Sequence, residues 1–359
     1  MATDEFLRTD EPGGTDGSGT AASSRDGHGG SGGGGADVQL ATAEPHPDVQ
    51  AVLRDRERFQ FLPLPTLGAR GTRLLTKFAL WLQDQDSPAV GDVTDLTIPG
   101  PEGDIPVRRY RPQSEGPYPT VVFYHGGGFV LGNLETHDLF CRHLTNESDC
   151  EVVSVDYRLA PEHPFPAAVE DAYAAIEWAD SGPAVLDDDG HLAVAGDSAG
   201  GTLSAVVSLM AAEQDGPALD YQTLIYPAVG SQSGQGSMQD HSEYVLTDEV
   251  MEWFGDCYYG SDVHRRNPYA DPTRACDVSG VAPATVVTAG FDPLRDGGIE
   301  YARKLVADGV SVRFRNYPAM VHGFATMLSD DEDVDRAHEA VGAIGEDLRD
   351  ALDGARSSQ

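Results

Sequence analysis

One short motif, Gly196-Asp197-Ser198-Ala199-Gly200, constrains the fold of this 359-residue chain most strongly. The apolar residues 191–195 before it predict a strand, and residues 202–212 after it predict a helix. Glycines two places to either side of a serine permit a tight strand-to-helix turn that holds the serine hydroxyl above the sheet edge. The same spacing at residues 29–33 lies in a glycine and serine run without regular structure beside it. Context therefore makes Ser198 a candidate nucleophile, with a small residue in an ordinary turn as the alternative.

A second motif, His125-Gly126-Gly127-Gly128-Phe129, follows residues 120–124, which predict a buried strand. Ligands bind at the carboxyl ends of strands in open α/β sheets. Successive glycines let backbone N–H groups point into a site without a Cβ in the way, as a tetrahedral oxyanion requires. The amides of Gly127, Gly128 and Ala199 are the predicted oxyanion-hole donors. A flexible loop is the alternative; a phosphate loop is disfavoured because neither nucleotide-binding glycine motif is present.

A serine nucleophile needs a general base, and the base needs an acid that orients it. Two histidines follow late enough to serve in the order Ser, Asp, His, and His338 lies on the charged side of a predicted amphipathic helix. This leaves His322, in a loop after the strand-like residues 311–315. Asp292 follows the apolar residues 284–289 and is the predicted acid, with Asp296 in reserve. Single loop residues of these types are more often caps or surface groups, but their order after successive strands favours catalysis.

The pattern of strands and helices predicts an α/β fold with a mostly parallel, doubly wound sheet. The first two of eight strand signals are expected to form an antiparallel hairpin at the edge. The strand signals cover residues 93–98, 105–110, 120–124, 151–155, 191–195, 222–226, 284–289 and 311–315. Helical patterns at residues 168–179 and 299–307 lie between them.

The chain divides into a core and three other segments. Residues 1–40 are rich in Gly, Ser, Thr and Asp and predict a disordered acidic tail. Residues 41–90 predict two amphipathic helices of an N-terminal cap, although their apolar faces could equally be plain core. The catalytic core is expected in residues 91–227 and 276–354. Residues 228–275 predict an inserted cap segment, with a polar loop at 230–240 and a helix at 248–259 capped by Thr247.

Apolar side chains of the inserted segment are candidates for a substrate pocket. Tyr244, Val245 and Leu246 are the predicted substrate-binding residues, and Trp253 and Phe254 are further candidates for an acyl pocket. Such side chains more often pack between helices than contact a ligand.

The net charge of −35 excludes some partners and suggests an environment. Such an excess of carboxylates repels phosphate backbones and anionic lipid, so neither nucleic acid nor a membrane surface is an expected partner. The acids are spread along the whole chain, and lysine occurs only at positions 77 and 304. We therefore hypothesise a halophilic protein of a salt-rich cytoplasm, because the Debye length of about 3 Å at 1 M salt screens this self-repulsion.

The four cysteines, Cys141, Cys150, Cys257 and Cys276, form no C-x-x-C pair and have no nearby histidine at zinc spacing. Reduced thiols are expected, with neither a metal site nor a cofactor. No basic region followed by an apolar stretch, twin arginine or long hydrophobic run is present, so a cytoplasmic location is the prediction.

Together these motifs resemble those of the hormone-sensitive-lipase family of α/β-hydrolases, over about residues 45–350. The shared set comprises His125-Gly126-Gly127-Gly128, residues 156–168, Gly196-Asp197-Ser198-Ala199-Gly200, residues 292–296 and His322-Gly323-Phe324. The resemblance implies an eight-stranded, mostly parallel sheet flanked by helices, with a helical cap. It also implies a carboxylesterase for small-molecule esters with short to medium acyl chains, acting as a monomer or homodimer.

The resemblance further implies that Ser198 is the nucleophile, His322 the base and Asp292 its orienting acid, with Gly127, Gly128 and Ala199 as oxyanion donors. His125 and residues 156–168 are then scaffold. An amidase or formamidase would use the same triad. A ligand-binding receptor on this fold is a further alternative, but it would be expected to have lost part of the triad.

Overall fold

The computed structural model describes residues 40–59, 64–82, 87–230, 236–329 and 332–358. Apart from Leu40, the predicted tail therefore lies outside the described residues. Eight strands form one sheet in the order β1-β2-β4-β3-β5-β6-β7-β8. They are β1 (Asp92–Gly100), β2 (Gly103–Arg111), β3 (Tyr118–Tyr124), β4 (Glu151–Val155), β5 (Asp188–Asp197), β6 (Tyr221–Ile225), β7 (Ala284–Phe291) and β8 (Val312–Val321).

The sheet is parallel from β4 through β8, and the only antiparallel pairs among the described strands are β1 with β2 and β2 with β4. The predicted mostly parallel sheet with an antiparallel hairpin edge is confirmed. A doubly wound parallel sheet is buried on both faces, which explains why its central strands are continuous apolar runs. All residues of β3, β4, β6 and β7 are buried.

Helices cover both faces of this sheet. Val121 and Phe123 of β3 lie in the core cluster on the side of α3 and α9, whereas Val122 and Tyr124 lie with α4 and α5. This alternation follows from the two-residue period of a strand. The helices are α1 (Pro47–Phe59), α2 (Leu64–Leu82), α3 (Asp138–Ser148), α4 (Ala167–Asp180), α5 (Ala199–Glu213), α6 (Gly236–Asp240), α7 (Asp248–Tyr258), α8 (Arg295–Ala307) and α9 (Asp335–Ser358).

Several boundaries differ from those predicted, among them those of α5, α8 and β8. Helix α5 begins at Ala199 rather than at residue 202, because the turn ends at Ser198 and the next residue is already helical. Helix α8 begins at residue 295 rather than 299. Strand β8 continues to Val321 through residues 317–321, which were predicted as loop. The register with β7 shifts on the way, at a point where a Cβ on Gly290 would lie 2.0 Å from the carbonyl oxygen of Pro318.

We call residues 41–90 the N-terminal segment and residues 228–275 the inserted segment. In the N-terminal segment, Val49 and Val52 of α1 are buried in the main core, so α1 packs as core. Helix α2 instead leaves Leu74, Leu75 and Phe78 at least half exposed and contacts α7 of the inserted segment. The two segments therefore meet at α2 and α7.

The inserted segment contains more helix than predicted. Residues 236–240, expected to be polar loop, form α6, whereas residues 231–235 of that loop lie outside the described residues. Thr247 caps α7 as predicted, because its Oγ1 accepts a hydrogen bond from the N–H of Val250 (3.3 Å). In the described part of the chain, no helix combines the length and apolar character that a membrane crossing needs.

Candidate active site

Ser198 lies at a strained turn between β5 and α5. Its φ of 53° and ψ of −115° are unfavourable for a residue with a Cβ, and such backbone costs about 1–3 kcal/mol. The turn is held by a hydrogen bond from the N–H of Ser198 to the carbonyl of Ile225 (2.8 Å). A Cβ on Gly200 would lie 1.8 Å from the carbonyl oxygen of Tyr124, so only glycine fits there. This packing explains why the sequence needs glycine beside the serine.

The side chains of Ser198, His322 and Asp292 form one hydrogen-bonded chain. Nε2 of His322 lies 2.9 Å from Oγ of Ser198, and Nδ1 lies 2.8 Å from Oδ2 of Asp292. An ionised carboxylate only accepts hydrogen bonds, so the imidazole proton lies on Nδ1 and Nε2 is left to accept from the serine hydroxyl. The arrangement matches the geometry of a nucleophile, a general base and an orienting acid.

The side chains of Ser198, His322 and Asp292 are all shielded from solvent. Asp292 is fully buried, and its second oxygen accepts a hydrogen bond from the N–H of Leu294 (2.8 Å). His322 is 6% and Ser198 8% exposed, and the Tyr226 ring packs against the imidazole at 4.9 Å. Ser198 thus keeps a small exposed fraction, while the Asp292 and His322 side chains behind it are held in place by their contacts.

The reserve acid Asp296 and the rejected histidine His338 lie elsewhere. Asp296 accepts hydrogen bonds from Arg295 (2.8 Å) and from the backbone of Ser237 (3.0 Å), and fastens α6 to α8. His338 lies on the surface of α9 and contacts Asp333 at 2.7 Å. The structure brings neither of them into contact with Ser198.

The glycine loop after β3 has the backbone that its sequence predicts. Gly127 has a φ of 117° and Gly128 a φ of 62°, values that favour glycine. Within the described residues, the N–H groups of Gly127, Gly128 and Ala199 donate to no acceptor. Gly126 of the same loop contacts Asp197, the residue before Ser198, so these N–H groups remain the predicted oxyanion donors.

His125, the first residue of this loop, is fully buried. Its Nδ1–H donates to the carbonyl of Gly126 (2.8 Å), and its ring stacks on Tyr157 at 4.4 Å. Burial, assisted by the nearby His137, lowers the pKa of His125 to about 4. His125 is therefore neutral at physiological pH and supports the loop.

The inserted segment covers the glycine loop. A Cβ on Gly128 would lie 2.4 Å from Cγ of Phe254, so the Phe254 ring of α7 rests directly on this glycine. The next residue, Phe129, stacks on Tyr258 of the same helix with ring centroids 3.8 Å apart. Of the candidate acyl-pocket residues, Phe254 thus approaches the predicted oxyanion donors.

The N-terminal segment reaches the same loop through Arg73 of α2. Nε of Arg73 donates to the carbonyl of Val130 (2.7 Å), and Nη2 donates to the carbonyl of Ala160 (2.5 Å). Nη1 pairs with Glu162 at 2.9 Å. Arg73 therefore ties α2 to both loops beside Gly128.

The predicted substrate-binding residues lie on the other side of the site. Tyr244 packs edge-on against Phe291, the residue before Asp292, with ring centroids 5.5 Å apart. Tyr244 and Val245 pack against the main core cluster, and Leu246 is partly exposed. Tyr244 thus lies near Asp292, the predicted acid.

The sequence did not predict a role for Asp197. Asp197, beside Ser198, accepts hydrogen bonds from the N–H of Gly126 (2.7 Å) and from Nε2 of His137 (3.1 Å). The only signal for it was a carboxylate inside the serine motif. Its partners lie far away in sequence and could not be inferred from spacing.

Metal ligands and thiols are the other candidate reactive groups in the described ranges. These residues include no group of three or more His, Cys, Asp or Glu side chains able to hold a metal ion. Cys141 and Cys150 are buried, and all four cysteines are free. Burial raises the pKa of Cys150 to about 12, so this thiol is not activated.

The fold and the Ser198, His322 and Asp292 constellation define an α/β-hydrolase. A family model described as the alpha/beta hydrolase fold matches residues 121–326. The chain is similar to the carboxylic ester hydrolase LipN of Mycobacterium tuberculosis, at 47% identity over 248 residues. That alignment covers 66% of this chain and 65% of LipN, slightly under two thirds of the relative's length.

Two further comparisons cover more of the similar protein. The esterase LipI of Mycobacterium tuberculosis is 43% identical over 238 residues, which are 65% of this chain and 74% of LipI. The solved structure of a hyperthermophilic esterase from the archaeon Pyrobaculum calidifontis has a TM-score of 0.80 and 41% identity, covering 86% of this chain and 98% of that one. The chain belongs to the hormone-sensitive-lipase-like family of ester hydrolases.

Proposed function

We propose that this protein is a serine carboxylesterase that hydrolyses small esters with short to medium acyl chains through an acyl-enzyme. The observation that carries the proposal is the hydrogen-bonded chain from Ser198 through His322 to Asp292. The names of the similar proteins support ester hydrolysis, and the size of the acyl group is inferred from the family resemblance.

In the first half-reaction, Oγ of Ser198 attacks the ester carbonyl carbon as Nε2 of His322 takes the hydroxyl proton. Asp292 stabilises the imidazolium through Nδ1–H. The carbonyl oxygen becomes an oxyanion and is stabilised by the N–H groups of Gly127, Gly128 and Ala199. The carbon–oxygen bond to the alcohol then breaks, and the leaving oxygen receives the proton from Nε2.

The second half-reaction repeats these proton transfers with water. Nε2 of His322 takes a proton from a water molecule whose oxygen attacks the acyl carbon. Collapse of the second tetrahedral intermediate returns the proton to Oγ of Ser198 and releases the carboxylic acid. No other group is required for either step.

The N-terminal and inserted segments form the cap that selects the substrate. Contacts of Arg73 and Phe254 with the glycine loop support this role. Tyr244, Val245 and Leu246 line the substrate path near Asp292, a placement supported by the packing of Tyr244 on Phe291.

The enzyme works in a salt-rich cytoplasm. The net charge of −35 supports this part of the proposal, since it is tolerated best where salt screens like charges. The free cysteines are also as expected in a reducing compartment.

The test is hydrolysis of p-nitrophenyl acetate, butyrate, hexanoate and decanoate in high salt by wild type and by Ser198→Ala. We expect turnover with a preference for the shorter chains, and a loss of at least about 10⁴-fold in Ser198→Ala, because the nucleophile is absent. A fluorophosphonate should label wild type at Ser198 and leave the variant unlabelled. The Ser204→Ala variant, which alters another buried serine on α5, serves as the control.

Three results would contradict the proposal. Retained turnover in Ser198→Ala would remove the nucleophile assignment. A higher kcat/KM for matched anilides than for the esters would indicate an amidase. Stoichiometric ligand binding without turnover in wild type would indicate a receptor.

A further inference from the structure

Asp197 connects the two halves of the site. It follows from β5 directly into Ser198, and its Oδ1 accepts a hydrogen bond from the N–H of Gly126 at 2.7 Å. A Cβ on Gly126 would lie 2.3 Å from Oδ2 of Asp197, so the carboxylate packs directly on the loop backbone. The contact joins residues 71 positions apart in sequence. One side chain therefore bridges the serine turn and the glycine loop.

This carboxylate is buried and charged, and His137 makes that arrangement stable. Nε2 of His137, just before α3, donates to Oδ1 of Asp197 at 3.1 Å. Nδ1 of the same ring lies 2.8 Å from the hydroxyl of Thr136, which fixes the ring orientation. Burial alone would raise the pKa of Asp197, but His137 and the N–H of Gly126 outweigh it and hold the pKa below its usual range. The acceptor for Gly126 thus stays ionised.

The position of this bridge has a consequence for the oxyanion donors. Ala199 belongs to the turn that contains Ser198, whereas Gly127 and Gly128 belong to the glycine loop. Stabilisation of an oxyanion requires all donors at hydrogen-bond distance from one point, and small displacements are costly. The hydrogen bond from Gly126 to Asp197 is a polar contact that ties the glycine loop, one residue before Gly127, to the nucleophile turn.

We propose that Asp197, held by His137, is a positioning residue that sets the distance between the oxyanion donors of the glycine loop and the nucleophile. This inference rests on the proposed ester hydrolysis. It assigns Asp197 no contact with the substrate. Its effect falls on the transition state, where the donors bind, and little on the bound ester.

The chain offers a control in Asp220, which contacts β5 at His191 and Leu192. Oδ2 of Asp220 accepts hydrogen bonds from the N–H of Leu192 (3.1 Å) and from Nδ1 of His191 (3.1 Å). Asp220 therefore has the same kinds of partners as Asp197, a backbone amide and a buried histidine. It directly precedes β6, and its contact with Leu192 lies five residues before Asp197 on β5. Asp197→Asn and Asp220→Asn remove the same charge from a carboxylate with these partners, and the Asp220 side chain is the more exposed of the two, at 27% against 7%.

The experiment measures kcat, KM and the inhibition constant of an alkyl trifluoromethyl ketone for wild type and both variants. Such a ketone forms a hemiketal with the serine, and its oxyanion occupies the donor site. We expect Asp197→Asn to lower kcat by about 10- to 100-fold, approaching the loss of one donor, with KM changed less than about threefold. Ketone affinity should fall by the same factor as kcat/KM. Asp220→Asn should keep kcat and ketone affinity within about twofold of wild type.

His137 provides a second series that does not change Asp197 itself. We expect His137→Gln, which still offers an N–H donor, to keep more activity and ketone affinity than His137→Ala. Circular dichroism and thermal melts identify the folded fraction to which every rate is normalised. This series decides the question if the Asp197 variants do not fold.

Two outcomes are decisive against the idea. An active wild type whose folded Asp197 or His137 variants lose no more kcat and ketone affinity than Asp220→Asn would overturn the positioning role alone. A wild type that neither hydrolyses esters nor binds the ketone would overturn the proposed function and this inference together.

Discussion

At the residue scale, the site consists of strained or buried groups whose neighbours leave few substitutions open. Ser198 has a positive φ, and Gly200 lies against a backbone carbonyl of β3. His125 is buried in neutral form beneath the glycine loop. The free energy of folding should therefore depend on the protonation of this one histidine.

We expect His125 to make the free energy of unfolding fall as the pH is lowered from about 6.5 to about 4. In this window the unfolded chain binds a proton at His125 and the folded chain does not, so acid favours the unfolded state. The contribution approaches about 1.4 kcal/mol per pH unit. Urea unfolding at several pH values measures it, and His125→Asn should show a slope that is smaller by this amount. Parallel pH dependences for the two proteins would rule it out.

The residues that the sequence could predict were those recognisable from local pattern. Ser198 was found from its glycines, and His322 and Asp292 from their order after successive strands; the structure places all three in contact. The link from Asp197 to His137 could not be found in this way. It depends on the residue before α3 meeting the last residue of β5 in space, which no spacing along the chain encodes.

At the element scale, the strands were the easiest to predict because burial on both faces makes them continuous apolar runs. Their ends were harder. Strand β8 continues past Pro318 by shifting its register with β7, and a proline in a pattern ordinarily indicates the end of a strand. The close approach of Gly290 to Pro318 makes this shift feasible, and it is a tertiary contact.

Helix α7 should act on substrate choice through Phe254. Its ring fills the space above Gly128, so Phe254→Ala should open room beside the proposed oxyanion donors. We expect kcat/KM for branched or longer esters to rise at least about fivefold relative to acetate, consistent with the modest energies of apolar discrimination. One series of esters that varies the acyl group and one that varies the alcohol group show which part of the substrate gains room.

The neighbouring variant Trp253→Ala is the control for Phe254→Ala, because Trp253 packs on Phe254 with centroids 5.1 Å apart. It should shift this preference less. An unchanged preference in Phe254→Ala, with the fold intact, would show that the ring is only packing.

At the scale of the whole molecule, charge and not core packing is the unusual property. Separate core clusters lie on the two faces of the sheet, one against α3 and α9 and one against α4 and α5, as in any α/β protein. The surface carries the excess acid, and several carboxylates, such as Asp256 and Asp262, are largely exposed. Their mutual repulsion opposes folding and depends on ionic strength.

We expect the melting temperature to rise steadily between about 0.01 M and 1 M potassium chloride, while the Debye length falls from about 30 Å to about 3 Å. Differential scanning fluorimetry measures it, with sucrose at equal osmolality as the control for effects other than screening. A melting temperature that does not change over this range of salt would eliminate the halophilic hypothesis.

The grip of α2 and α7 on a single loop bears on how such an enzyme can be engineered. Arg73 donates a hydrogen bond to the carbonyl of Val130, and Phe254 packs on Gly128. Helices α2 and α7 therefore both contact the loop that follows β3. A chimera that receives only the N-terminal and inserted segments of another esterase would lose their contacts with this loop, and with them turnover as well as the original selectivity. Residues 126–132 should therefore be exchanged together with those segments.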